Sequence, residues 1–591
     1  MTGSTIGPTT LGVFAPTSEH DSRLVRGASG LLGELNVAGV LEPADVHVAA
    51  RLGDLGGEAD EQVLAAVALA VRAVRHGSVC LDPTTVPDLA PDVAWPDPDA
   101  WLHQVAASPL AAAGAVRVDH GLLYLDRFHR LEGQIVDDLG ARLQRPAPPV
   151  DEAALTAALD RVRGGRLSAE QEAAAVRAVR QWTTVLTGGP GTGKTTTVAR
   201  LLALLADQAA QQGRRLSIAL SAPTGKAATR LQEAVDHELA ELPTEDRDRV
   251  GRPDAVTLHR LLGWRSDNVT RFRHDRGNRL KYDVVVVDET SMVELTLMAR
   301  LLEAVRPEAR LVLVGDPRQL TSVGAGAVLA DLVAGYDGRP DSPVVGLTTN
   351  FRSERDIQSV AEALRLGDAD GVLEALRRPS AEVEFVETDD PGPVLRAEVL
   401  ASALAVRAAA EAADPAGAVA ALDRHRLLCA HREGPYGIRH WNRQVERWIA
   451  EETGVEAYAA WYVGRPILVT SNDYALGVYN GETGVAVQQP DGRLRAWVAG
   501  SGGLRDFAPG RLEAVETMHA MTIHKSQGSQ ADRVTVLLPE DSSRLLTREL
   551  FYTAVTRARQ HVRVIGSEAA VRAAVGTQAQ RATGLRQRLA P

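Results

Sequence analysis

Cysteine is nearly absent from this sequence: 591 residues hold two, Cys80 and Cys429. Both sit in apolar runs, Ser78-Val-Cys80-Leu and Arg426-Leu-Leu-Cys429-Ala. They read as buried free thiols, not as a disulfide framework or a metal pair. That usage fits a reducing, cytoplasmic compartment. No apolar run is long enough to span a membrane. The opening Met1-Thr-Gly-Ser-Thr-Ile-Gly has no basic segment leading into an apolar one, so no signal peptide is expected. Positive charge is not in excess either. The chain has 65 Lys and Arg against 76 Asp and Glu, a formal charge of −11. Such a balance argues mildly against a nucleic-acid coat, but one local basic groove suffices to track a phosphate backbone. No repeat of solenoid period occurs.

What the chain does have is length and alternation. It exceeds one core, and three or four domains are expected. Residues 1–144 are rich in Ala, Leu and Val and mostly helical by periodicity. Residues 62–74 read as an amphipathic helix and 86–99 as a Pro/Asp-rich loop. Arg145-Pro-Ala-Pro-Pro149 reads as a linker. Beyond it, short β-branched strands at 183–186, 217–220, 284–287 and 311–314 alternate with helices. That pattern predicts a parallel sheet covered on both faces, in a domain at 150–345. A second α/β series, with strands at 426–430 and 534–538, fills 346–591. Within it, 467–487 and 494–498 read as antiparallel strands with turns at Asn480-Gly481 and Asp491-Gly492, a β-module at 460–512.

Gly188-Gly189-Pro190-Gly191-Thr192-Gly193-Lys194-Thr195 matches G-x-x-x-x-G-K-[ST], and Thr196 carries it into a helix. A strand precedes it, which is the context a P-loop requires. Its glycines let successive backbone N–H groups point inward at phosphates. Lys194 is expected to reach the β- and γ-phosphates and Thr195 to ligate Mg²⁺. Val284-Val-Val-Val-Asp288-Glu289 ends a buried strand in two carboxylates. Asp288 suits the Mg²⁺ contact and Glu289 a base for an attacking water, so hydrolysis of ATP is the expected chemistry. A lone Asp-Glu after an apolar run is ordinarily a solvated strand end; the P-loop upstream reverses those odds. Arg352 and Arg557 are candidates for neutralising transition-state charge. Any arginine is a surface ion-pair residue by default, and spacing alone does not promote these two.

Further stretches fall in a fixed order. They are Leu167-Ser-Ala-Glu-Gln171, Ala222-Pro-Thr224-Gly-Lys226-Ala-Ala228, Thr257-Leu-His259-Arg-Leu-Leu262, Gly315-Asp-Pro-Arg-Gln319-Leu and Asn350-Phe-Arg352-Ser. Met521-Thr522-Ile-His524-Lys525-Ser-Gln-Gly528 and Tyr552-Thr-Ala-Val-Thr-Arg557-Ala-Arg559 complete the series. Together with the P-loop and Asp288-Glu289 they resemble the motifs of helicase superfamily one, in its 5′-to-3′ branch. Leu427-Leu-Cys-Ala-His-Arg-Glu-Gly-Pro-Tyr-Gly437 and Arg465-Pro-Ile-Leu-Val-Thr-Ser-Asn472-Asp473-Tyr474 are similar to stretches of one family in that branch. That family is RecD, the alpha subunits of RecBCD-type (exodeoxyribonuclease V) complexes.

The resemblance implies an α/β fold with two RecA-like parallel-sheet motor domains of the P-loop NTPase type. It adds a helical, partner-docking N-terminal domain and a small SH3-like β insertion in the second motor domain. It implies that Gln171 contacts adenine and that Gln319 senses the γ-phosphate and couples it to DNA. Arg352 and Arg557 would reach the γ-phosphate from the second motor domain. Thr224, Lys226, His259, Thr522, His524 and Lys525 would lie along single-stranded DNA. Blander roles stand beside these: a core histidine for His259, a solvated Lys226, a helix N-cap for Thr224. The implied partners are DNA with duplex ends and RecB-like and RecC-like subunits, in repair and recombination. No carboxylate cluster outside the ATP site suggests a nuclease. Residues 264–282 carry Arg265, Arg271, Arg273, Arg276 and Arg279. Such a run is as often a solvated loop. In relatives this place holds a hairpin that parts the duplex, where Phe272 would stack on a base. The competing readings are a regulatory ATPase subunit, a stand-alone RecD-like helicase, and a small-molecule kinase, which would need no second motor domain.

Overall fold

Two parallel sheets organise the chain in a computed structural model. It describes residues 13–590 apart from 19, 164–166, 266–267, 322–323, 350, 352–354, 456–458, 474, 501–502, 542, 544 and 580. The first sheet runs, in spatial order, Val344–Leu347, Thr183–Gly188, Arg310–Gly315, Val284–Val287, Ile218–Ala222, Ala255–Thr257. The second runs Val383–Val386, Ala558–Ile565, Ala531–Leu537, His425–Cys429, Ala520–Thr522. Every neighbouring pair in both is parallel. These are the two RecA-like units expected. Successive side chains of a strand point to opposite faces, so a doubly covered strand must be apolar throughout. Accordingly Val285 and Val287 enter one core of the first sheet, and Val284 and Val286 the other. The expected strand at 217–220 lies at Ile218–Ala222, which shifts its end toward Thr224.

The inserted module is a five-stranded antiparallel sheet ordered Gly503–Phe507, Leu494–Gly500, Thr483–Gln488, Pro466–Val469, Val515–Thr517. Its last strand lies beyond the expected limit at 512. Asp491-Gly492 is the tight turn foreseen, with Gly492 at φ +80°. Asn480-Gly481 is not a two-residue hairpin turn. It closes a longer loop, where Asn480 N donates to Asn472 Oδ1 at 2.9 Å and Asp473 Oδ1 accepts from Ala475 N and Leu476 N. Side-chain acceptors there do the work a backbone turn would otherwise do.

The expected helix at 62–74 is Glu61–Arg75, capped by Asp60 Oδ1 on Gln62 N and Val63 N. The region is not wholly helical. Val116–Asp119 pairs antiparallel with Leu122–Leu125 around His120-Gly121, both at positive φ. Cys80 and Cys429 are buried, and burial pushes the Cys429 thiol up to about 12. The helix Asp126–Leu143 shares a core with the first sheet through Leu131, Ile135 and Leu139. Its buried Arg142 donates to Thr183 Oγ1 (2.7 Å) and to the Trp182, Arg306 and Ala309 carbonyls.

The C-terminal residues return from the second sheet to this junction. Val79 N donates to Ala582 O at 2.8 Å, Thr583 Oγ1 to Glu132 Oε1 at 2.8 Å, and Leu585 and Leu589 enter the same core. Asp331, on the helix Val328–Gly335, is buried there with Oδ2 unpartnered. Burial pushes its carboxyl up to about 7; the Thr583 hydroxyl opposes this, the Glu132 charge adds to it and Arg586 opposes it. Its folded pKa lies above the unfolded 3.8. It therefore costs no stability below pH 3.8, and the penalty grows until pH passes about 7. Asp331→Asn should raise stability by up to about 4 kcal/mol at pH 8 and by little near pH 4. Thermal unfolding at the two pH values checks this; an equal gain at both would rule out the buried charge.

Candidate active site

The loop between strand Thr183–Gly188 and helix Lys194–Gln211 is the centre of the site. Gly191 and Gly193 hold φ at +82° and +75°, which only glycine adopts without strain and which turns backbone N–H groups inward. A Cβ on Gly193 would lie 2.1 Å from Gln171 Nε2. Gln171 is buried: Nε2 donates to Thr192 O at 3.1 Å, and Oε1 accepts from Ser168 N at 3.1 Å. Its amide braces the loop and lines neither cavity beside it. Lys194 Nζ donates to Gly188 O at 2.7 Å and Gly189 O at 2.9 Å. Thr196 Oγ1 donates to Glu238 Oε1 at 2.8 Å.

A cavity of about 560 Å³ opens between the two units, lined by Lys194, Thr195, Asp288, Glu289, Gln319 and Arg557 among others. Residues separated widely in sequence thus share one wall. Burial, and then the neighbouring Glu289 charge, push the Asp288 carboxyl up. Glu289 adopts φ +50°, ψ +40°, a left-handed conformation uncommon outside glycine, and its N–H donates to Asp288 Oδ1 at 2.8 Å. Arg557 is 3% exposed; its Nε donates to Thr553 O at 3.1 Å and one Nη to Ser529 O at 3.2 Å. Arg352 lies outside the described residues, while Phe351 N donates to Gly191 O at 2.9 Å.

The units are also bonded to each other. Tyr552 OH donates to Asp316 Oδ2 at 2.9 Å, Leu320 N to Thr553 Oγ1 at 2.9 Å, and Gln527 Nε2 to Leu320 O at 2.5 Å. Arg230 donates to Gly528 O and Gln530 Oε1, both at 2.9 Å. Sequence reasoning gave no role to Asp316, Tyr552 or Arg230. The first two lie inside quoted motifs, where a polar side chain at a strand or helix end was the available signal. Arg230 had none.

The residues expected along a strand lie at the carboxyl ends of parallel strands, where open sheets place ligands: Thr224 and Lys226 after the next-to-edge strand Ile218–Ala222, the others at the edge strands Ala255–Thr257 and Ala520–Thr522. Thr224 Oγ1 accepts from Ala227 N at 3.2 Å, so the N-cap role is realised. Thr522 Oγ1 caps Lys525 N in the same way at 3.4 Å. Lys226 Nζ is buried without a hydrogen-bond partner, and burial pushes its ammonium down to about 7. His259 is half-buried, its ring 5.8 Å from that of Phe272. Phe272 is 7% exposed and belongs to the core, so it is not available to stack on a base; Arg271 and Arg273 beside it are exposed. The hairpin itself exists, Trp264–Arg265 pairing with Asn268–Phe272. Burial lowers the pKa of His524 and of Lys525. The β-module's loop touches both halves of this track. Lys525 Nζ donates to Asn480 Oδ1 at 2.9 Å, and a Cβ on Gly225 would lie 2.8 Å from Tyr479 Cβ.

Three family models match. They are an AAA domain at residues 171–325, a UvrD-like helicase C-terminal domain at 517–565, and the N-terminal domain of RecBCD enzyme subunit RecD at 37–121. The RecBCD enzyme subunit RecD of Mycobacterium tuberculosis is 57% identical over 95% of this chain and 97% of its own. The chain belongs to the RecD family. Its counterpart from Mycolicibacterium smegmatis is 58% identical over 94% of this chain and 98% of that one. A more distant relative, the ATP-dependent RecD2 DNA helicase of Deinococcus radiodurans, is 33% identical over 82% of this chain and 60% of its own. Of the expected site residues in this RecD-family chain, all but Arg352 fall inside a matched range. Among the described residues no helix is long and apolar enough to cross a membrane, and no group of three His, Cys, Asp or Glu could hold a metal.

Proposed function

We propose that this chain is the ATP-driven helicase subunit of a RecBCD-type complex. It works in the cytoplasm, moves 5′ to 3′ along single-stranded DNA from duplex ends, and assembles with RecB-like and RecC-like subunits. Family membership supports the assembly and the polarity. One observation carries the mechanism: Lys194, Asp288, Glu289, Gln319 and Arg557 line a single cavity between two parallel-sheet units. A kinase would need no second sheet reaching into its phosphate site.

In this reading ATP enters between the units, and Lys194 leaves the Gly188 and Gly189 carbonyls for the β- and γ-phosphates. Backbone N–H groups of Gly191 to Thr195 hold the rest. Thr195 and Asp288 fit Mg²⁺, because such sites use one carboxylate and a hydroxyl with phosphates and water, and Asp288 is a buried carboxylate short of positive charge. Bound there, Mg²⁺ would neutralise charge on the phosphates. Glu289 takes a proton from the attacking water, giving ADP and phosphate. Arg557 supplies positive charge from the second unit, so the γ-phosphate favours the closed cleft. Gln319 and Asp316 report its loss to Tyr552 and Thr553. Thr224, Lys226, His259, Thr522, His524 and Lys525 hold the strand on the two units. The five-stranded module stands where the resemblance puts an SH3-like insertion, and its Tyr479–Asn480 tip spans the track. The hairpin at 264–282 would part the duplex with Arg271 and Arg273.

Lys194→Gln should abolish both DNA-stimulated ATPase and unwinding of 5′-tailed duplexes, alone and with the partner subunits. ATPase that ignores single-stranded DNA in the wild type would defeat the motor reading and favour a regulatory ATPase.

A further inference from the structure

The helix Ile438–Thr453 buries Ile438, Trp441, Val445, Trp448 and Ile449. Its other face exposes Arg439, Arg443 and Arg447. Residues four apart stack in one row, each about 6 Å further along the axis. Some exposed arginines of this unit pair with an acid four residues away: Arg378 with Glu374 and Arg572 with Glu568. The row on this helix does not. Arg439 meets Glu433 at 2.6 Å, while Arg443 and Arg447 make no ion pair within 4 Å among the described residues, although the Arg443 charge still reaches Glu446 on the same helix. Three cations in a row on a chain of net charge −11 suit a polyanion.

The row borders a cavity of about 360 Å³, lined by Arg439, His440, Arg443 and Arg447 together with Glu433 and Gly434. A second cavity, about 670 Å³, shares only His440 with it and is lined by Tyr436, Trp441 and Trp448, by Arg396, and by the acids Asp389, Asp390 and Glu540. Trp441 is 3% exposed, and its Nε1 donor has no hydrogen-bond partner. A buried orphan donor at a cavity wall is costly unless a ligand accepts from it. Phosphate-spaced cations beside an aromatic pocket with donors and acceptors are the parts of a site for single-stranded nucleic acid.

The helix is also joined to the strand track. Asn442 donates to Thr517 O at 3.0 Å and Ala520 O at 3.2 Å and accepts from Ala520 N at 2.9 Å. It thereby fixes the strand that ends at Thr522. Arg432, just before the helix, pairs with Glu516 near Lys525.

We propose that this helix continues the single-strand path beyond the motor cleft. Arg439, Arg443 and Arg447 take successive phosphates, and the adjoining cavity takes a base between Tyr436 and His440, with Trp441 Nε1 as a donor to it. The inference rests on the motor reading and extends it.

The test compares full-length wild type with the triple variant Arg439→Gln/Arg443→Gln/Arg447→Gln, using oligo-dT of about 6 and about 20 nucleotides. Wild type should bind the longer strand more tightly. The variant should lose about tenfold on the longer strand and nothing on the shorter. Its salt slope on the longer strand should fall by about 2, because three phosphates are no longer neutralised. The three-lysine variant should keep the slope, and His440→Ala should weaken only the longer strand. ATPase stimulated by the shorter strand should be unchanged throughout. A variant that binds both lengths like wild type overturns the proposal. If that variant also fails to assemble with the RecB-like and RecC-like subunits, the row is a protein interface instead. A wild type with no DNA-stimulated ATPase would defeat the motor reading itself, which the length comparison alone cannot do.

Discussion

Glu289→Gln should cut steady-state ATP turnover by about 10²–10⁴-fold while nucleotide affinity stays within a few-fold. Three features set this expectation. Glu289 lies beside Asp288 on the cavity that Lys194 and Arg557 share. Its backbone is held at φ +50°, a strained conformation that persists only where its surroundings enforce it. Its charge also contributes to the raised pKa of Asp288, so the two carboxyls are electrostatically linked. Glutamine preserves shape but cannot take the proton. It also relieves Asp288 of a like charge, so binding should hold or improve. ATPase assays with a fluorescent-nucleotide titration separate the two effects. Turnover within tenfold of wild type would remove Glu289 from the role of base.

The sheet strands and the phosphate loop were legible because each is written in local order. An unbroken, wholly β-branched Val284–Val287 run favours a doubly covered strand, and a P-loop needs its glycines in sequence. What was not legible depends on partners distant in the chain. Gln171 reads as an adenine contact by motif, yet its amide braces Thr192 and Ser168, which only the folded loop reveals. Phe272 sits in an arginine-rich stretch and reads as exposed, yet its ring fills a core beside His259. Asp316 and Tyr552 are 236 residues apart and meet only because two separate sheets face each other. The Asn480-Gly481 dipeptide has the composition of a hairpin turn, but Asn472 and Asp473 side chains close a wider loop instead. Local pattern fixes elements; pairing between elements is decided by packing that no window of sequence contains.

Arg557→Lys should lower kcat about 10³-fold and abolish unwinding, with KM for ATP changed little. The side chain belongs to the second unit but faces a cavity whose phosphate loop, Asp288, Glu289 and Gln319 come from the first. Two of its nitrogens are held by the Thr553 and Ser529 carbonyls, which aims the planar guanidinium and limits its movement. Lysine keeps the charge but concentrates its donors on one nitrogen, so it lacks the rigid planar fork by which Arg557 is anchored through Nε and one Nη while the plane reaches further. The loss should therefore fall on the transition state, where charge has moved onto the γ-phosphate, more than on ATP binding. It should also weaken the link between nucleotide and cleft closure, so ATP analogues should no longer change the affinity for single-stranded DNA. Arg572→Lys is the matched control. Arg572 is half-exposed, lines no part of this cavity and pairs with Glu568 at 2.8 Å, a pair worth little, so kcat should stay within a few-fold. Thermal unfolding of both variants separates lost chemistry from lost folding, because Arg557 is buried. If the two lysine variants behave alike in a folded chain, positive charge alone is enough and the fixed geometry of Arg557 is not what the cleft uses.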